Sequence, residues 1–138
     1  MPPKDLFHDS VKRALEKDGW AITHEQMPLS FELGDMYIDL GAEKIVAAQR
    51  GSEKIAVEIK SFVRASAISE FHTALGQFFN YRFALSEQDP GRELYLAVPS
   101  DTYSSFFTIR LVQNMIRTYG LKLITYNPKL EEIVEWIR

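Results

Sequence analysis

An α/β domain is what this sequence predicts, a mixed β-sheet flanked by helices in the order α-β-β-β-α-β-α-β-β. Apolar stripes at helical spacing alternate with apolar runs of strand length. Some strands are joined by tight turns, as in hairpins, and others through a helix, as in crossovers, so the sheet holds both directions. The 138 residues, 46% hydrophobic and 25% charged, fit one globular domain spanning 1–138, with no repeat, linker or low-complexity tract.

The elements follow in order. Residues 5–18 place Leu6, Phe7, Val11, Ala14 and Leu15 on one helical face, with Asp5 as N-cap and Asp18-Gly19 as the stop. Trp20 to Thr23 and Met36 to Leu40 read as short strands, separated by the turn-prone Pro28 and Gly34-Asp35. Residues 44–49 and 54–60 form a hairpin around RGSE. Alternation in the second of these puts Ile55, Val57 and Ile59 on one face and Ala56, Glu58 and Lys60 on the other. A helix over about 67–86 follows, capped by Ser66, with Ile68, Phe71, Leu75, Phe78 and Phe79 as its buried stripe. Pro90-Gly91 turns the chain into Leu94 to Val98, an apolar run fit for a buried strand, and Pro99 stops it. Residues 102–119 read as one helix with Phe106, Ile109, Val112 or Met115, and Ile116 inward, ended by Gly120. Residues 121–126 and 131–137 close the sheet as two strands around Asn127-Pro128.

Composition removes several function classes. There is no cysteine, so disulfide frameworks, cysteine-ligated zinc and thiol chemistry are out, in keeping with a reducing, cytoplasmic setting. The N-terminal residues lack a signal-peptide core, and no apolar run reaches the ~18 residues a membrane span needs. The formal net charge of −3 means that any surface for nucleic acid must be a local one.

Three polar residues stand out from apolar strands. Asp39 lies inside MYIDLG, and Glu58 and Lys60 inside IAVEIK, where strand propensity disfavours them. If the two strands are neighbours, two carboxylates meet, and they repel unless a cation lies between them or one takes a proton. Hard oxygen ligands suit Mg²⁺ or Mn²⁺, and a lysine on the same side of the strand can position or deprotonate a water. That set suits metal-assisted phosphodiester hydrolysis.

Asp39 followed by Glu58-Ile59-Lys60 resembles the D…(D/E)-x-K signature of the restriction-endonuclease-like, PD-(D/E)xK nucleases, with Ile38 where the signature's loosely kept proline would stand. Gln77-Phe78-Phe79-Asn80-Tyr81 is similar to the Q-x-x-x-Y motif of their RecB-like branch, and His8 resembles that branch's upstream histidine metal ligand. The segments KDLFHDSVKRALEKDGW, IDLGAEK, AVEIKSF and ALGQFFNYR resemble the XisH family, known as excision controlling factors of the fdxN DNA element. The resemblance implies a restriction-endonuclease-like core, with Asp39, Glu58 and His8 holding Mg²⁺ or Mn²⁺. Lys60 would then be the catalytic lysine, and Gln77 and Tyr81 would orient it or a DNA phosphate. It also implies DNA as substrate, a recombinase and a XisI-like companion as partners, and a homodimer.

Other readings of the same residues stay open. The nuclease fold can be reused without catalysis to bind DNA or a partner protein, or the chain can be an interaction module with no nucleic acid. Glu43 is a further metal ligand or a surface ion pair with Lys44. Lys12, Arg13, Lys17, Lys54, Arg64 and Arg82 are candidates for phosphate contacts, against a default of solvated surface charge.

Overall fold

The computed structural model describes residues 6–33, 36–39, 45–63 and 66–138, with Phe31, Leu33 and Met36 to Asp39 described by backbone alone. Eight strands and four helices follow one another: α1 (His8–Lys17), β1 (Ala21–His24), β2 (Ser30–Leu33), β3 (Met36–Asp39), β4 (Ile45–Arg50), β5 (Glu53–Ile59), α2 (Ala67–Gln88), β6 (Arg92–Pro99), α3 (Ser100–Thr102), α4 (Arg110–Tyr119), β7 (Leu123–Asn127) and β8 (Glu132–Ile137). Between α3 and α4 the chain makes one π-helical turn, Tyr103–Phe107. Six strands form one mixed sheet in the order β1-β4-β5-β6-β7-β8, and β2 and β3 make a separate ribbon.

The β4–β5 hairpin closes through Gly51 and Ser52, with Arg50 opposite Glu53 and Gly51 at φ 60°, a left-handed turn conformation open to glycine. The β5–β6 and β6–β7 pairs are parallel, so each connection crosses over through helices. Both crossovers step the same way along the sheet, which for connections of one hand puts their helices on one face. There α2 (Phe71, Ala74, Phe78, Tyr81, Leu85) and α4 (Val112, Ile116) share a core with Ala47, Ala56, Leu96 and Leu123. On the other face α1 lays Val11 and Leu15 against Val46, Ile55, Val57, Ile59 and Tyr95. The alternation read from β5 therefore holds, with one difference. The face carrying Ala56 and Glu58 lies under α2, so the charged side of β5 is as buried as the apolar side.

Four local expectations change. Helix α1 starts at His8 with Phe7 at the N-cap position, and Asp5 lies outside the described residues. Strand β2, unmarked by the sequence because it is four residues next to Pro28, pairs with β3. The helix expected over 102–119 is broken, with Ile109 in an extended conformation at φ −61° and ψ 135°. The π turn brings Phe107 edge-on to Phe71, centroids 5.6 Å apart, and Phe106 packs on the same ring at 5.7 Å. Aromatic packing at one spot thus outweighs helix continuity, which the β-branched pair Thr108-Ile109 supports only weakly. After the break the helix phase resets, so Ile109 is 48% exposed although an unbroken period points it inward.

Arg92 ties the sheet end opposite Lys60. Its buried guanidinium donates to Asp89 at 3.0 Å and to the Ile55 carbonyl at 2.9 Å, and Lys54 donates to Asp89 at 3.4 Å. The hydrogen bond from Arg92, aided by Lys54, holds the Asp89 carboxyl below the usual carboxylate range. A depressed folded-state pKa contributes stability that is present above the unfolded value and lost as pH falls through the folded one. The loss from this group should therefore fall below about pH 4. In Asp89→Asn the acid limb of a denaturation-midpoint-versus-pH curve should flatten. At pH 7 the variant should lose on the order of 1–3 kcal/mol, because the buried Arg92 keeps its charge. An acid limb identical to that of the native chain would refute this assignment.

Candidate active site

Strand β5 ends at Ile59, and the next residue continues its hydrogen bonding, with the Lys60 N–H donating to the Ala97 carbonyl at 3.0 Å. The Lys60 carbonyl accepts from the Tyr126 hydroxyl at 3.1 Å, so backbone groups of Lys60 are tied from β6 and from β7. Two residues on, Phe62 takes a left-handed conformation, φ 54°, and sets its ring edge-on to Phe107 with centroids 5.4 Å apart. A bulky residue there is strained by on the order of 1 kcal/mol, and packing on Phe107 holds it.

Lys60 can therefore aim its side chain at α2. Its ammonium donates to Gln77 Oε1 at 2.6 Å and lies 3.9 Å from Glu58 Oε2. The Glu58 side chain is fully buried and that of Lys60 is 13% exposed. A carboxylate so far from water is costly unless charges and hydrogen bonds compensate it. Glu58, Lys60 and Gln77 thus form one polar centre between β5 and α2, at the C-terminal end of the parallel strands. In open α/β sheets that end is where ligands bind.

Two of the other expected residues, Asp39 and Tyr81, are placed differently from the sequence reading. Asp39 ends β3, opposite Ser30 in the ribbon, and not on a strand beside β5. Both edges of β5 are taken, by β4 through the hairpin and by β6 through the crossover. The Asp39 side chain lies outside the described residues, as do Glu43, Lys44 and Arg64. Tyr81 is 4% exposed and belongs to the core with Phe71 and Phe78, on the stripe and not opposite it. The step Phe71–Ala74–Phe78–Tyr81–Leu85 keeps it inward, and Gln77, one turn before Tyr81, sits at the border of that stripe. His8 is buried on α1, where a ring nitrogen and one oxygen each of Asp9 and Glu25 lie within 4.8 Å of one another. Lys12 reaches the same Glu25 at 2.5 Å, and that hydrogen bond raises the Lys12 pKa above its ordinary value.

Of the cations expected to meet phosphates, five are described, and all bind their own chain. Lys12 pairs with Glu25, Arg13 with Glu131 and Lys54 with Asp89. Lys17 donates to the Leu130 carbonyl, and Arg82 to the carbonyls of Tyr119 and Gly120. Sequence reasoning missed Tyr126 and Ala97, whose roles come from strands far along the chain and leave no local signal.

This is a two-faced mixed α/β sheet domain with a buried Glu–Lys–Gln centre at the end of its first parallel strand. The sequence model described as "XisH protein" matches residues 1–134. The chain belongs to the XisH family. It is similar to the crystal structure of an XisH family protein from Nostoc punctiforme PCC 73102, with 50% identity, 97% of this chain and 100% of that one covered, and a TM-score of 0.87. It is also similar to that of a fdxN element excision controlling factor protein from Anabaena variabilis, with 47% identity, 96% and 98% covered, and a TM-score of 0.86. A search of curated proteins finds no match.

Proposed function

We propose that this chain controls site-specific excision of a DNA element by acting as a metal-dependent, PD-(D/E)xK-type DNA endonuclease, in the cytoplasm, beside a recombinase and a companion protein. The observation that carries the reading is the convergence of Glu58, Lys60 and Gln77 at the end of β5. The kinship with a fdxN element excision controlling factor supports the biological setting.

The donor set fits a hard divalent cation in kind, since Glu58 brings a carboxylate and the chain has no cysteine to offer a soft thiolate. Asp39 would bring the second carboxylate. Asp39 ends β3 six residues before Ile45, the register partner of Glu58. Mg²⁺ or Mn²⁺ held there supplies charge for a phosphate and a lower pKa for water. The residues of the chain do the rest. Gln77 accepts from the Lys60 ammonium and fixes its direction. Lys60 positions the attacking water and offsets charge growing on the phosphate. Ala97 and Tyr126 hold the Lys60 backbone against recoil.

A second reading, the fold kept for binding without cutting, is favoured by one observation: the Lys60 ammonium already lies 3.9 Å from the buried Glu58 carboxylate. The test separates them. The native chain should nick supercoiled plasmid with millimolar Mg²⁺ or Mn²⁺ and stop in EDTA. Glu58→Ala should lower Mn²⁺ affinity, read by calorimetry, together with the rate, because it deletes a ligand. A native chain that binds no Mn²⁺ and cuts nothing would leave the binding reading.

A further inference from the structure

The chain carries 19 carboxylates, yet residues 71–86 and 102–130 contain none, where the chain average would place about six. The same stretches hold Arg82, Arg110, Arg117, Lys122 and Lys129. They are most of α2, all of α4 and the π turn, and α2 and α4 together cover one face of the sheet. A mildly acidic protein thus keeps the middle of α2 and all of α4 free of carboxylates, with Glu70 and Glu87 near the two ends of α2. This α2–α4 layer adjoins the polar centre: Gln77 of α2 holds Lys60, and Phe107 of the π turn packs on Phe62.

The layer also exposes rings. Phe83 is 69% exposed and Tyr119 45%, and the Tyr119 ring rests edge-on against Phe79, centroids 5.5 Å apart. Phe79 and Phe83 are one helical turn apart and share a side of α2. Arg110 and Arg117 stand outward on α4, and neither pairs with a carboxylate among the described residues. Arg117 donates only within its helix, to Asn114 Oδ1 at 2.6 Å.

We infer that this carboxylate-poor α2–α4 layer is a docking surface for single-stranded DNA. The inference rests on the nuclease-fold reading of the adjoining centre and names the strand that reaches it. Charge complementarity selects a polyanion, since phosphates meet two guanidinium groups of α4, neither paired with a carboxylate among the described residues, on a helix that carries no acid. The rings select unpaired bases, because an exposed aromatic face stacks on a base only when that base has left its duplex. Two phosphate contacts alone hold a duplex weakly, because that affinity is built from the counterions each contact releases. A protein partner would account for the rings but not for the lack of carboxylates over residues 71–86 and 102–130.

Fluorescence anisotropy in EDTA tests this. The probes are labelled 30-nucleotide oligodeoxythymidylate, a 30-base-pair duplex, oligouridylate and polyglutamate, titrated from 50 to 200 mM salt. Oligodeoxythymidylate should bind best. Arg110→Glu/Arg117→Glu should weaken it at least tenfold and flatten the log–log salt slope by about 1.4, the value for two phosphate contacts on a single strand. Phe83→Ser, at an exposed site, should weaken it about fivefold or more and leave the slope unchanged. Equal affinity of native and charge-reversed chains would overturn the inference, as would no binding at all or tighter binding to duplex, RNA or polyglutamate. Plasmid cleavage in Mg²⁺, run in parallel, separates the two readings. Cutting by a charge-reversed chain with unchanged affinity sinks the surface alone, and affinity lost on charge reversal in a chain that never cuts sinks the nuclease alone.

Discussion

Lys60→Ala should lower metal-dependent cleavage by about 10²–10⁴-fold, the range for losing a group that orients a nucleophile and offsets transition-state charge. The loss should appear in the single-turnover rate while Mn²⁺ affinity is kept or rises slightly. Lysine supplies no oxygen ligand, and removing a cation beside a carboxylate relieves repulsion toward a metal. Lys60→Ala should also lower the stability of the fold. The Lys60 ammonium is 3.9 Å from the fully buried Glu58 carboxylate, so its deletion strips compensation from a group with no access to water. A cost on the order of 2 kcal/mol is expected without metal. Millimolar Mn²⁺ should restore much of it, because a cation that binds only the folded chain stabilises that state. Urea midpoints with and without Mn²⁺ read this directly. A variant as stable as the native chain in EDTA would mean that Lys60 does not compensate Glu58. A variant that cuts at the native rate would remove Lys60 from the mechanism.

Phe107→Ala should cost the fold about 3–5 kcal/mol, the range for emptying a buried phenyl site. Phe107 is fully buried, and its ring lies 5.4–5.8 Å from those of Phe62, Phe71, Tyr103 and Phe106. Two consequences follow beyond the lost area. Phe62 would lose the contact that holds its left-handed backbone, and the π turn would lose the ring around which it winds. The exit of β5, and with it the aim of Lys60, should loosen. Chemical denaturation at pH 7 measures the first effect. Hydrogen exchange at the amides of Lys60 to Phe62 measures the second, and protection there equal to native would show that the β5 exit does not lean on Phe107.

How much of this was legible beforehand divides along the range of the forces involved. Strand β5 was readable because alternation is a property of seven adjacent residues, and Gly51 marks its hairpin. Of the α2 stripe, Phe71 and Phe78 were readable for the same reason, though Ile68, read as buried, is 42% exposed at the start of the helix. The Ser66 cap, whose hydroxyl accepts from the Ser69 N–H at 3.2 Å, was readable too. So was the joining of Lys60 and Gln77, but only through the resemblance of E-x-K and Q-x-x-x-Y to a known site.

Strand order was not legible. Asp39 and Glu58 look like neighbours in a string of short strands, but β4 and β6 compete for β5 and take both edges. The break at Ile109 was hidden too, because Phe107 gains more against Phe62 and Phe71 than an unbroken helix would. Tyr81 was read as a motif residue, whereas the stripe's own period makes it part of the core. The sequence by itself determined periodicity, turns and the placing of Glu58 and Lys60 on one side of β5, all of which are local. Tertiary structure decided which strands touch, where the last helix begins and that Glu58 is buried. Those outcomes depend on pairing and packing between segments far apart in the chain, whose energies no local pattern records.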